Sequence, residues 1–186
     1  MFLFPDTCLL INFAVVNRID LIEKILHQKV HWPLAIFHEV QGFSKEPEYS
    51  DLSLLTIERD KIYEPTIFER VEIENLRMTM PKSNNYNKDN LGEAEVLIIA
   101  KNRFPPPHAV IVLTEDANAI TEAHKLKFNT FGSAQVLKLL VKMGSIDSEE
   151  ALSVCKLMIN SKRPILDENK KSVKNKDLEK WFRELK

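Results

Sequence analysis

The stretch 91-LGEAEVLIIAKNRFPPPHAVIVLTEDANAITEAHKL-126 decides the fold. Leu91 to Asn102 reads as a strong helix, and Pro105 to Pro107 break it, because proline lacks the amide donor a helix interior needs. Ala109 to Leu113 is then a short β-branched apolar run without polar alternation, the pattern of a strand covered on both faces in a parallel sheet. Asp116 follows at once, and Ala117 to Leu126 returns to helical spacing. Helix, buried strand and helix in succession predict an α/β fold with a mainly parallel central sheet flanked by helices.

The same pattern repeats outward. Phe2 to Phe4 form a short apolar run that stops at Pro5-Asp6, after which Cys8, Leu9, Ile11, Asn12, Ala14 and Val15 read as a mostly buried helix. Asp6 therefore stands at a strand-to-helix switch, as Asp116 does, although Pro5 is unusual in a central strand because it removes a ladder donor. Helices are expected over Ile19 to His27 and over Leu34 to Phe43, the second carrying Glu39 near its middle. Residues 44–65 suggest a further helix through Leu52, Leu54, Leu55 and Ile57, Ile67 to Ile73 reads as a strand, and Pro81 to Asn90 is a polar loop. Beyond Leu126 come a short strand near Phe128 to Phe131, a helix from Ser133 to Met143, and a helix from Asp147 to about Asn160 opened by the capping-box pattern Asp147-Ser-Glu-Glu150. Residues 1–160 are read as one domain. Residues 161–186 are read as a linker with six basic and two acidic side chains up to residue 176, followed by a short helix with Leu178, Trp181, Phe182 and Leu185 on one face, packed on the domain or on a second subunit.

Composition excludes several functions. In 186 residues, 26 Lys+Arg against 27 Asp+Glu leave a formal charge of -1, so the chain is not a polycation built for non-specific nucleic-acid binding. Cys8 and Cys155 offer neither a disulfide framework nor a cysteine-rich zinc site, and a reducing cytoplasm is the expected setting. The apolar start has no Lys or Arg before Arg18 and carries Asp6 and Asn12, which argues for strand and helix over a signal sequence, and no apolar run is long enough to cross a membrane. Four glycines give no phosphate-binding loop, and five histidines show no H-E-x-x-H spacing for zinc.

Carboxylates remain. Ligands of parallel α/β sheets collect at the carboxyl ends of the strands, so Asp6 and Asp116 face one crevice if their strands are neighbours, and a hard cation such as Mg²⁺ or Mn²⁺ would find oxygen ligands there. Each acid also has a plain structural reading. Asp6 and Asp116 can cap the helices that follow them, Asn90-Leu-Gly-Glu93 can be a capping box, and Glu39 can lie on a solvated helix face.

Four segments resemble the motifs of PIN-domain nucleases, in the family's order. Asp6-Thr7-Cys8-Leu9-Leu10-Ile11 looks like the D-[TS]-x-x-L-I start, and Pro33 to Glu39 resembles P-x-x-V-x-x-E. Leu91-Gly-Glu93-Ala-Glu95 is similar to the G-E-A-E form of the third motif, and Thr114-Glu-Asp116 to the strand-end T-x-D motif. The resemblance implies Asp6, Glu39, Glu93 and Asp116 as ligands for Mg²⁺ or Mn²⁺, which would activate a water for phosphodiester hydrolysis, with Thr114 turned to a carboxylate or a bound water. It further implies RNA as the substrate, and a homodimer. Many small members are VapC-type toxins with an antitoxin protein as partner, but this chain is longer, chiefly through residues 44–65 and the tail.

Glu95, about 200° around the helix from Glu93, is expected to be peripheral or salt-bridged. His38, beside Glu39, reads as a surface or packing residue. Arg77, Lys82, Tyr86, Lys88 and the linker residues Lys162, Arg163, Lys170, Lys171, Lys174 and Lys176 are candidates for phosphate contact or, for most of them, plain solvated charge. The competing readings are an RNA-processing or DNA-cleaving nuclease that is not a toxin, and an inactive PIN-like interaction module.

Overall fold

Strand β4 (Val110–Leu113) is buried along its whole length, as its unbroken apolar run requires. It lies between β1 (Phe2–Pro5) and β5 (Asn129–Phe131), all three parallel in the order β1-β4-β5. The register sets Pro5 opposite Leu113, so the two strands end together and Asp6 and Thr114 leave the sheet side by side. The computed structural model describes residues 1–26, 29–81, 90–167 and 171–183. His27, Lys82, Tyr86, Lys88, Lys170 and Leu185 lie outside these residues, as does most of the polar loop.

Pro5 is tolerated for a reason of parity. The Asp6 amide donates to the Leu113 carbonyl at 2.8 Å, while the Leu3 amide points the other way, to the Lys29 carbonyl at 2.9 Å. Alternation along a strand directs position 5 away from β4 with position 3, so the missing proline donor costs the β1–β4 ladder nothing. On that far side Leu3 bridges Val30, and a second parallel pair follows, β2 (Trp32–Pro33) with β3 (Ile62–Tyr63).

Helices pack around this sheet: α1 (Thr7–Ala14), α2 (Ile19–Leu26), α3 (Leu34–Phe43), α4 (Ile67–Thr79), α5 (Leu91–Arg103), α6 (Ala117–Lys125), α7 (Ser133–Lys142), α8 (Ser148–Asn160) and α9 (Asn175–Arg183). Where a single helix was expected in 44–65 there are 3₁₀ turns over Pro47–Leu54 and Arg59–Lys61. The strand expected over Ile67 to Ile73 is a correction: this segment is the first half of α4. Thr66 and Glu69 close a reciprocal capping box there, a T-x-x-E signal that outweighs the β-branched residues. Ile73, Met80, Ala94 and Ile98 form a small core between α4 and α5. Helix α9 lies on α8 through buried Leu178 and Phe182, with Lys156 bonded to Glu179 at 2.8 Å and the Lys138 ammonium 4.3 Å from the Trp181 ring centre. The terminal stripe thus packs on the domain rather than standing free.

One buried ion pair ties α4 down. Glu69 accepts from the Arg103 guanidinium through both oxygens, and the pair holds the Glu69 carboxyl at about 2, below its usual 4.5. A carboxyl depressed in the fold stabilises it above pH 4.5, and that contribution disappears as pH falls through about 2. Glu69→Gln should therefore lower stability at pH 7 by on the order of 1–2 kcal/mol and flatten the acid limb of the melting-temperature profile below about pH 4.5. Circular dichroism melts of both proteins across that range provide the check.

Candidate active site at the strand ends

The carboxyl ends of β1 and β4 carry the acids singled out by the sequence. Asp6, 3% exposed, does not cap α1 with its side chain. Its Oδ2 accepts from the Thr114 hydroxyl at 2.7 Å and from the Cys8 thiol at 2.7 Å. The capping explanation of Asp6 is thereby lost, and the acid is held across the β1–β4 junction. Asp116 is different: its Oδ1 accepts from the amides of Asn118 at 2.7 Å and Ala119 at 2.9 Å, a full cap of α6. Its own amide donates to the Thr114 hydroxyl at 3.0 Å, so Thr114, fully buried, links the two aspartates through one oxygen.

Glu39 and Glu93 arrive from α3 and α5. The Thr7 hydroxyl donates to Glu39 Oε2 at 2.6 Å, which brings α3 against the start of α1. Asn90 adopts a left-handed conformation and makes no side-chain cap, its amide group donating instead to the Pro81 carbonyl at 3.3 Å, so the alternative of an Asn90–Glu93 capping box does not form. Gly92 is the close-approach residue. A Cβ there would lie 2.7 Å from Ile36 Cδ1 and 2.9 Å from Glu39 Oε1, so only glycine lets the first turn of α5 settle on the Glu39 carboxylate.

The four acids act on one another. Burial raises the Glu93 carboxyl most, and the charges of Asp6, Asp116 and Glu39 add to it, pushing it from 4.5 to about 8. Such a set, all oxygen and self-repelling, has the donor chemistry of a hard divalent cation site. Among the described residues no group of three or more His, Cys, Asp or Glu side chains is arranged to hold a metal ion. In the metal-free chain hydroxyl, thiol and amide donors take up part of the carboxylate charge.

Several residues near this crevice were not legible as functional or structural partners. Cys8, read as apolar, donates to Asp6, and burial together with the Asp6 charge raises its thiol well above the ordinary value. Buried Asn12 donates to Ser133 Oγ at 3.1 Å and to the Pro164 carbonyl at 3.0 Å, and accepts from Arg163 Nε at 2.7 Å. Arg163, a candidate for phosphate, is thus committed to the fold, with a second bond to the Cys8 carbonyl at 3.2 Å. Buried Glu115 accepts from the amides of Ser133 at 2.5 Å and Leu166 at 2.8 Å and clamps the chain after α8 to the strand end. Glu95, expected at the periphery, is buried and accepts from the Ala35 amide at 2.9 Å, fixing α5 to the first turn of α3. His38 is exposed, and Arg77 bonds Glu74 at 2.8 Å.

Two outcomes follow. A carboxyl raised to about 8 stabilises the metal-free fold below pH 4.5 and loses that contribution as pH rises through about 8. Melting temperature should therefore fall from about pH 6 to about pH 9 without cation, recover on adding Mn²⁺ or Mg²⁺, and lose this pH dependence in Glu93→Gln, as thermal melts would show. Gly92→Ala meets only the flexible ends of Ile36 and Glu39, so it should cost about 1 kcal/mol or less in stability, yet weaken Mn²⁺ binding in calorimetry by roughly tenfold because Glu39 must move.

Among the described residues no helix is long and apolar enough to cross a membrane. A family model described as a PIN domain matches residues 3–176. No curated protein and no solved structure matches the chain. PIN domains are in general metal-dependent nucleases that hydrolyse phosphodiester bonds. The match covers nearly all of the sequence, and its parallel sheet flanked by helices is present: the chain belongs to the PIN-domain family.

Proposed function

We propose that this chain is a divalent-metal-dependent endoribonuclease in which Asp6, Glu39, Glu93 and Asp116 hold Mg²⁺ or Mn²⁺. The observation that carries the reading is the meeting of Asp6 and Asp116 just beyond the ends of two adjacent parallel strands, joined through the Thr114 hydroxyl, with Glu39 held by Thr7 and close against Gly92 beside Glu93. The raised Glu93 carboxyl agrees with it. Helix capping accounts for Asp116 but not for Asp6, Glu39 or Glu93. When bound, the cation would supply an activated water and offset the charge that builds on the scissile phosphate.

The remaining work falls to the protein. Thr114 is a positioning residue, fixing one Asp6 oxygen while accepting the Asp116 amide. Thr7 does the same for Glu39. The α6 amides fix one Asp116 oxygen, which turns the carboxylate in a set direction before any ligand arrives. Burial and the neighbouring carboxylates raise the Glu93 carboxyl, so cation binding there would be coupled to proton release.

RNA as the polymer, and the role of a toxin held by an antitoxin protein, rest on the resemblance of the four motifs to VapC-like members. The decisive experiment incubates the purified chain, Asp6→Asn and Glu93→Gln with labelled RNA and single-stranded DNA, in Mg²⁺, in Mn²⁺ and in EDTA. RNA cleavage that needs metal and falls by at least about 100-fold in both variants supports the proposal. Cleavage confined to DNA would redirect it to a DNA nuclease. No cleavage, with no Mn²⁺ binding in calorimetry, would leave the interaction module as the reading.

A further inference from the structure

Strand β5 is the outer strand of its sheet, and half of its backbone is turned away from its neighbour. The Thr114 amide donates to the Phe131 carbonyl, so Phe131 and, two residues back, Asn129 direct their backbone groups to β4. Alternation leaves the Thr130 N–H and C=O facing outward, and among the described residues neither has a hydrogen-bond partner. Along this edge lies a cavity of about 320 Å³, bounded by β5, α6, the first turn of α7 and the segment at Leu166 and Asp167. Thr114 also lines it, and the Thr114 hydroxyl bonds Asp6 at 2.7 Å, so the cavity adjoins the acid cluster.

The chemistry of the lining narrows what can enter. Phe128, Phe131 and His124 contribute rings, and Gln135 contributes an amide. Gln135 Oε1 accepts the Gly132 amide at 3.1 Å, which leaves its NH2 group to donate. No lysine or arginine among the described residues lines the cavity, while Glu115 and Asp167 bring carboxyl groups to it, so the lining does not suit a phosphate. Its volume is at the lower end of small-ligand sites, which gives room for one ring system and not for a dinucleotide. A peptide strand is a poor fit as well, because the short edge of β5 offers it a single outward N–H and C=O. One donor beside one acceptor, next to aromatic surface, is the complement of a nucleobase edge.

We infer that this cavity seats one unpaired base of an RNA strand, with the hydrogen-bonding edge of the base on the Thr130 backbone and its ring against the aromatic side chains. Assigning that base to the substrate rests on the nuclease reading, through Thr114, which connects the cavity to the proposed metal site. A base held there fixes the adjoining strand relative to the acids and favours cutting beside particular nucleotides. The seat is rigid, because the β4–β5 ladder sets the position of Thr130 and its hydroxyl lies 3.0 Å from His124 Nε2.

Titration of the isotope-labelled full chain in EDTA with AMP, GMP, CMP and UMP, and with ribose phosphate as the probe that lacks a base, tests this by NMR. The expected result is a saturable shift of the Thr130 amide and the Gln135 NH2 group with at least one nucleotide, at a dissociation constant on the order of 1 mM, and none with ribose phosphate. Thr130→Pro removes only the outward donor, since position 130 gives nothing to the β4 ladder, and Phe131→Leu removes a ring while keeping an apolar side chain. Each should raise that dissociation constant at least about fivefold, read from the Gln135 NH2 group, and either variant suffices once circular dichroism shows it folded. No saturable shift with any nucleotide, an equal response to ribose phosphate, or variants that both bind as the native chain does, overturns the inference. Cleavage is not scored and metal is absent, so failure here leaves the nuclease test untouched. A chain that binds a base but cuts no RNA would overturn the nuclease reading and uphold the base seat.

Discussion

Thr114 is where the architecture and the candidate chemistry meet. Its amide bonds Phe131 of β5, its hydroxyl donates to Asp6 after β1, and the same oxygen accepts the amide of Asp116 before α6. Three strand ends thus meet at a single buried residue. The parallel pairing of β1 with β4 brings Asp6 to this point, and the register that ends both strands together keeps it there. A slip of one residue would turn every side chain of β1 to the other face and separate the aspartates.

The acid cluster runs against the usual economy of folding, in which burial of charge is offset by pairing. Here the pairing is partial. Hydroxyls, a thiol and helix amides bond the carboxylate oxygens of Glu39, Asp6 and Asp116, and burial together with these charges raises the Glu93 carboxyl. On the proposed reading a cation would relieve the repulsion among these carboxylates. Gly92 leaves room for the Glu39 carboxylate against the first turn of α5.

Much of this was legible in the sequence because periodicity reports burial. The β-branched run of β4, the strand-to-helix switches at Asp6 and Asp116, and helices α3 and α5 all follow from local pattern. Where two signals competed, the weaker one misled. In α4, β-branched side chains masked a T-x-x-E capping box, and the outward stripe of Ile67, Phe68 and Val71 imitated a strand because a helix normally hides such residues. The placement of Asp6, Glu39, Glu93 and Asp116 could be anticipated only through motifs, whereas the roles of Cys8, Asn12, Glu95, Glu115 and Arg163 depend on contacts between distant segments. Asn12 and Arg163, 151 positions apart, share a hydrogen bond that no local pattern encodes.

The unequal duties of the two aspartates have an evolutionary consequence. Asp116 caps α6 and, on the proposed reading, also holds the cation, so selection for a stable fold and selection for chemistry would bear on the same residue. A descendant that no longer needed the chemistry would still keep Asp, Asn, Ser or Thr at that position, because α6 would otherwise lose its cap. Helix α1 takes no side-chain cap from Asp6. Decay of the activity in a lineage would therefore be written first at Asp6, while position 116 continued to look intact.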